Sequence, residues 1–216
     1  MNSFEICFIT AVNDIERYNK SLFTWKKLSI PDGFSINSLV VQGASSMAGA
    51  YQMGMRASNA KYKIYIHQDV EIVQKKFLQV MVDVFQSDQR IGLAGVVGSK
   101  NIPASAVWWE GDLVGAISDN HTGRMESYLY EHSSKKAIDV SAIDGLIMMT
   151  QYDVPWREDI FNKWHFYDLS QCMEYKKKGY SIAVLPQIMP GVIHYCGQNA
   201  MIGYNDERVK FIREYG

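Results

Sequence analysis

Short apolar runs recur along the chain, and between them lie stretches in which apolar positions come round every three or four residues. Residues 4–12 (FEICFITAV) are nearly continuously apolar, as in a strand covered on both faces. Asn13 and Asp14 end the run, and the spacing predicts a helix over 15–28. Pro31-Asp32-Gly33 marks a turn. Strands are expected at 35–42 and 61–66, with a small-residue loop at 43–46 and a helix over 47–59 between them. Strand, helix, strand, helix, strand in that order predicts an α/β fold, a mixed and mainly parallel central sheet flanked by helices.

Farther along, Phe77, Val80, Met81, Val84 and Phe85 fall on one face of a helix over 77–87, and 91–97 is another apolar strand, ended by Gly98. Residues 99–134 break the pattern. They hold Trp108, Trp109, several glycines and many polar residues with little period, and read as an irregular insertion with the composition of a mobile lid. Strand pieces at 137–143 and 146–150 flank Asp144-Gly145. A helix over 167–178 stops at Gly179 after three lysines, a strand follows at 180–185, and a surface helix closes the chain at 205–215. No repeat and no low-complexity stretch interrupts this order, so a single domain over 1–216 is expected.

Composition narrows the classes. Hydrophobic residues make up 47% and charged residues 21% of the 216, which excludes wholesale disorder. A net charge of −1 gives no electrostatic case for nucleic acid or for an anionic membrane surface. The three cysteines, Cys7, Cys172 and Cys196, are widely spaced and contain no CxxC pair, so neither a disulfide framework nor a structural zinc site is expected, and a cytoplasmic setting fits best. The N-terminus lacks the pattern of a signal peptide, and no apolar run reaches the roughly 18 residues of a transmembrane segment.

Four places carry candidate chemistry. His67-Gln68-Asp69 follows the strand at 61–66, and ligands of open α/β sheets bind at the carboxyl ends of strands, where a carboxylate suits a hard divalent cation. A polar strand terminus is the plain alternative. Asp168, at the start of a helix, is either a first-turn carboxylate favoured by the helix dipole or a general base. Asp144-Gly145 is either a turn or a carboxylate beside a glycine that lets substrate approach the backbone. His194 follows an apolar run, and its imidazole is an available metal ligand if a carboxylate lies close. Trp108-Trp109 and Trp164-His165-Phe166-Tyr167 are candidates for stacking on sugars, with core packing as the plain alternative. The phosphate-cradling GxxxxGK[ST], the dinucleotide GxGxxG after the first strand, GxSxG and HExxH are all absent.

Taken in order, these elements resemble the family 2-like glycosyltransferases of the GT-A fold, in a bacterial branch with a short catalytic domain. The resemblance runs from about Phe4 to Gly197. It rests on Val12-Asn13-Asp14, the segment 43–60 (GASSMAGAYQMGMRASNA), Ile64 to Val70 as the DxD element, Ile143-Asp144-Gly145, Trp164 to Asp168, Gly179-Tyr180 and His194. Two places depart from the family pattern: His67 stands where the DxD element has its first acid, and Tyr167 stands where an acid often precedes Asp168. The resemblance implies transfer of a sugar from a nucleotide-diphosphate donor to an acceptor hydroxyl, inverting and assisted by Mn2+ or Mg2+. It implies Asp168 as base, Asp69 and His194 as metal ligands, and Asn13, Asp14, His67, Asp144, Gly145 and Trp164 as substrate contacts. The acceptors it implies are carbohydrate or lipid-linked, which leaves peripheral membrane association open, although no basic amphipathic anchor occurs. His67 in the acid's place also motivates a second reading, a non-catalytic nucleotide-sugar or carbohydrate-binding module on the same scaffold. A third is an unrelated α/β domain such as a small-molecule methyltransferase.

Overall fold

The computed structural model describes residues 1–197 and 201–216. Its first strand, β1 (Asn2–Val12), lies between β2 (Ser35–Gln42) and β3 (Ala60–Ile66) and runs parallel to both. The crossovers are α1 (Ile15–Trp25) and α2 (Met47–Ala57). Strand order 2-1-3 creates a topological switch beside β1, and a crevice opens at the carboxyl ends of β1 and β3.

Alternation along β1 explains why its apolar run is unbroken. Ile6 and Phe8 point into one core with Trp25 of α1 and with Phe77, Leu78 and Met81 of α3 (Phe77–Ser87). Cys7 and Ile9 point into the other, with Tyr51 and Met55 of α2 and with Cys172 and Tyr175 of α4 (Tyr167–Lys177). α2 packs so closely that a Cβ on Gly54 would lie 2.2 Å from a methyl of Ile9.

Beyond β3 the central sheet continues through β11 (Ile147–Thr150), β5 (Ile91–Gly95), β12 (Ser181–Val184) and β9 (Ile138–Val140). β11 runs antiparallel to β3 and β5, and β9 antiparallel to β12, while β12 is parallel to β5, so the sheet is mixed. A second sheet has the order β10 (Ala142–Ile143), β6 (Val97–Ser99), β7 (Leu113–Asp119), β13 (Val192–His194), β4 (Val70–Ile72), with β8 (Glu126–Leu129) paired to β7. The last helix is α5 (Tyr204–Tyr215).

Several boundaries differ from the sequence pattern, each for a visible reason. The single strands expected at 91–97 and 137–143 each divide in two, because the chain passes from the central sheet into the second one at Val96 and again at Ser141. Residues 99–134 are not irregular throughout. They carry β7, whose residues Val114–Ile117 are buried, and β8, after a 3-10 turn at Trp108–Glu110. β4 and β13 have three residues each, too few for a period to register. α1 ends at Trp25, where Lys27 and Leu28 donate to Thr24 and Trp25 and tighten the last turn.

The three cysteines are free thiols. Among the described residues no helix is long and apolar enough to cross a membrane.

Candidate active site

β3 ends at Ile66, and the next three residues leave the sheet into the crevice. The His67 amide still donates to the Leu146 carbonyl at 3.0 Å, which holds the strand end against the turn that precedes β11. His194 arrives from the second sheet. It stands opposite Val70 in the antiparallel pairing of β13 with β4, and Tyr195 N donates to Asp69 O at 2.9 Å. Two missed three-residue strands therefore bring together residues 125 positions apart.

The result is a compact group. His194 Nε2 lies 3.4 Å from Asp69 Oδ1 and 3.5 Å from His67 Nδ1. One donor atom from each of His67, Asp69 and His194 lies within 4.8 Å of the others. Two imidazole nitrogens and a carboxylate oxygen at that spacing could hold a divalent cation. Arg17 of α1 approaches the other carboxylate oxygen, Asp69 Oδ2, at 3.4 Å.

Electrostatics within the group are uneven. Burial pushes His67 down to about 4, helped by the charge of His194, so its ring is neutral near pH 7. Burial also works against a proton on His194. The hydrogen bond His194 donates to Asp69, a contact with Cys196 and the charges of Asp69 and Asp144 outweigh it and raise His194 to about 10. Asp69 is pushed up by burial but held below the ordinary carboxylate range by its hydrogen bond with His194 and the two imidazole charges.

Asp168 lies in the first turn of α4, half-buried on the same cleft. Burial first, and then the charge of Asp144, push its carboxyl up to about 7. Asp144 is raised by burial, against the charge of His194 and the Leu146 amide that donates to its Oδ1 at 2.9 Å. That bond makes Asp144 a turn former as well as a cleft carboxylate. The residue before α4, Phe166, is buried with φ of 60°, a left-handed conformation that costs a non-glycine residue about 1–2 kcal/mol.

Two connected lobes make up the cleft. The first, 520 Å³, holds Asp69, His194, Asp144 and Asp168 under an aromatic rim of Trp108, Trp109 and Tyr204. The second, 400 Å³, lies at the ends of β1 and β2 and includes Asn13 and Gly43. Met47, His67, Asp69 and Trp164 line both.

The residues singled out in the sequence are thus divided between the two lobes, the wall they share and positions outside both. His67, Asp69, Asp144, Asp168 and His194 share the first lobe, and Asn13 lines the second. Trp164, 45% exposed, stands on the wall between the lobes, whereas Trp108 is mostly buried and Trp109 is 44% exposed. Asp14 lines neither lobe; its carboxylate caps α1, accepting from Glu16 N and Arg17 N. At Gly145 the space a side chain would take holds the Tyr167 ring, with Oη 2.1 Å from a Cβ built there. This glycine admits a tyrosine at that position rather than a ligand.

Gln68 has no counterpart among the residues read from the sequence. Its Oε1 accepts from Asn13 N at 3.0 Å and Asp14 N at 2.9 Å, and its Nε2 donates to Asn13 Oδ1 at 2.5 Å. The middle residue of His67-Gln68-Asp69 therefore fastens the end of β1 to the end of β3. Only its place between His67 and Asp69 pointed to it.

Comparison with known families finds that the Glycosyltransferase like family matches residues 7–215. The chain belongs to that family. Comparison with curated proteins finds no match. Solved structures of the same fold include GalNAc-T7 with UDP, GalNAc and Mn2+, at 9% identity and a TM-score of 0.60 over 90% of this chain and 44% of that one. S. aureus TarS 1-349 in complex with UDP aligns at 11% identity and 0.56, over 94% of this chain and 63% of that one. The mannosyltransferase PcManGT from Pyrobaculum calidifontis, in complex with GDP-Man and Mn2+, aligns at 9% identity and 0.56, over 97% and 61%. The fold of this family member is thus the GT-A fold, and the chain spans 44% to 63% of the length of these neighbours.

Proposed function

We propose that this chain transfers a sugar from a nucleotide-diphosphate donor to an acceptor hydroxyl, with inversion at the anomeric carbon. The observation that carries the reading is the single cleft in which Asp168 faces the His67, Asp69 and His194 group, continuous with a second lobe at the strand ends. Three neighbours of the same fold are described with UDP or GDP-Man, two of them with Mn2+.

In this reading the second lobe takes the nucleoside, with Asn13 held in place by Gln68. His67, Asp69 and His194 would hold the cation, and two imidazoles among three donors favour Mn2+ over Mg2+. A cation held there would supply positive charge to stabilise the departing diphosphate. Asp168 takes the proton of the acceptor hydroxyl. The oxygen forms the new bond to C1, the bond from C1 to the phosphate oxygen breaks, and its electron pair leaves with the nucleoside diphosphate. A carboxyl near 7 suits that task, because about half of it is ionised at neutral pH without its being too weak a base. Burial, with the like charge of Asp144 added to it, keeps Asp168 there. Trp109 and Trp164 offer exposed faces on which an acceptor ring can stack.

The test is a screen of UDP-, GDP-, CDP- and dTDP-sugars with Mn2+, read first as thermal stabilisation and then as release of nucleoside diphosphate over an acceptor panel. Stabilisation by a nucleotide sugar, and product that disappears in D168N, is the expected result. Binding without turnover over every acceptor would favour a carbohydrate-binding module. No stabilisation at millimolar donor would overturn both.

A further inference from the structure

His67 Nε2 lies 2.5 Å from the Tyr167 hydroxyl, across 100 positions of sequence. Tyr167 is buried and reaches that point because residue 145 is glycine, whose missing side chain leaves the room the phenol ring fills. Tyr51 packs edge-on against the same ring, with centroids 5.8 Å apart, and Trp156 tilts against it at 6.4 Å. The hydroxyl is thus fixed from several sides.

A histidine in this position has one free choice, the nitrogen that carries its proton, and the neighbour of the other nitrogen usually decides it. His67 Nδ1 faces His194 Nε2, on the side where Asp69 also stands. Nδ1 can serve as a ligand there only with its lone pair free, which places the proton on Nε2. The group facing Nε2 must then accept that proton, and the phenol oxygen can. A carboxylate in place of Tyr167 would add another negative charge beside Asp168 and Asp144, whereas a phenol accepts the same hydrogen bond without one.

We infer that Tyr167 is a positioning residue: packed into the gap at Gly145, it holds His67 as the Nε2–H tautomer and turns Nδ1 toward Asp69 and His194. The inference rests on the cation reading above, because a phenol can donate as well as accept and the ligand role of Nδ1 is what selects the tautomer. Tyr167 lines the first lobe, but its buried hydroxyl meets His67 and acts through it rather than as a base.

The experiment uses the full chain in two states. In the metal-free protein, nitrogen-15 correlation spectra of the imidazoles report which His67 nitrogen is protonated, with an H67Q variant to assign the signal. The parent is expected to show Nε2 protonated and Nδ1 bare, and Y167F, which keeps the ring and loses the oxygen, to lose that preference. Mn2+ titrations followed by electron paramagnetic resonance should then give about 10- to 100-fold weaker binding in Y167F, with its melting temperature close to that of the parent. A parent with Nδ1 protonated would overturn the inference, as would a Y167F variant that keeps both the tautomer and the affinity. If the parent shows the expected tautomer yet binds no Mn2+, the cation reading fails and the positioning of His67 stands. If Y167F does not fold, the parent spectrum alone decides.

Discussion

Asp144 and Asp168, 24 positions apart in sequence, face one cleft, and the charge of Asp144 adds to burial in lifting Asp168 to about 7. One is fixed by a turn, the other by the first turn of a helix, so neither can move far from its like-charged neighbour.

That relationship sets a pH dependence. Asp168 must be ionised to accept a proton, so transfer should rise as pH passes through about 7. D144N removes the like charge, so the acid limb of kcat/KM should move to lower pH. D168N should lose at least about 100-fold in kcat. Stability follows the opposite sign. Between its ordinary value of about 3.9 and about 7 the folded state holds a proton the unfolded state has lost, so stability contributed by this group falls as pH rises. D168N should therefore melt higher than the parent at pH 8 and show no such gain below pH 3.9 or so. An acid limb that stays put in D144N would separate the two carboxylates.

Gln68 joins the ends of β1 and β3 by three hydrogen bonds. Q68A should cost about 1 kcal/mol in urea unfolding, since the freed amides reach water. It should also weaken nucleotide binding, because Asn13 loses its support. Calorimetry with UDP and GDP compares the two losses; unchanged nucleotide affinity would take Asn13 out of the donor lobe.

Washing with a chelator and adding back Mn2+ should raise the melting temperature of the parent, because a ligand bound only to the folded state stabilises it. D69N and H194A should abolish most of that rise. A rise that survives both would place the ion elsewhere.

Lys63 supplies a prediction away from the cleft. It is fully buried in β3, where Nζ donates to Ala60 O and to Asp153 Oδ1, each at 2.7 Å. D153A would leave a buried ammonium half-satisfied and should cost about 3 kcal/mol, whereas K63M removes the charge altogether and should cost under about 1 kcal/mol. Equal losses in the two variants, measured by chemical denaturation, would show that the pair contributes through packing alone.

Much of this arrangement could be read from the chain in advance. The apolar run at 4–12 is nearly unbroken because β1 is covered on both faces, and Asp69, Asp144 and Asp168 each stand beside a readable element, whereas His194 ends a strand too short to read. Other features have no local signature. Gln68 looks like any polar residue until β1 and β3 lie side by side. Lys63 interrupts an apolar strand, and only its ion pair explains why it can be buried. Val96 and Ser141 are corners between two sheets, and a corner leaves no period to detect. Asp14 shows the converse: the sequence makes it a candidate contact, and the geometry of α1 uses its carboxylate as a cap.

The partition formed by Met47, His67, Asp69 and Trp164 belongs to both compartments at once. A molecule seated on one side presses on the same side chains that greet a molecule on the other. Occupancy of either compartment should thus be felt across it, and initial-rate plots for the two substrates should intersect, as they do when both must be aboard together, rather than run parallel.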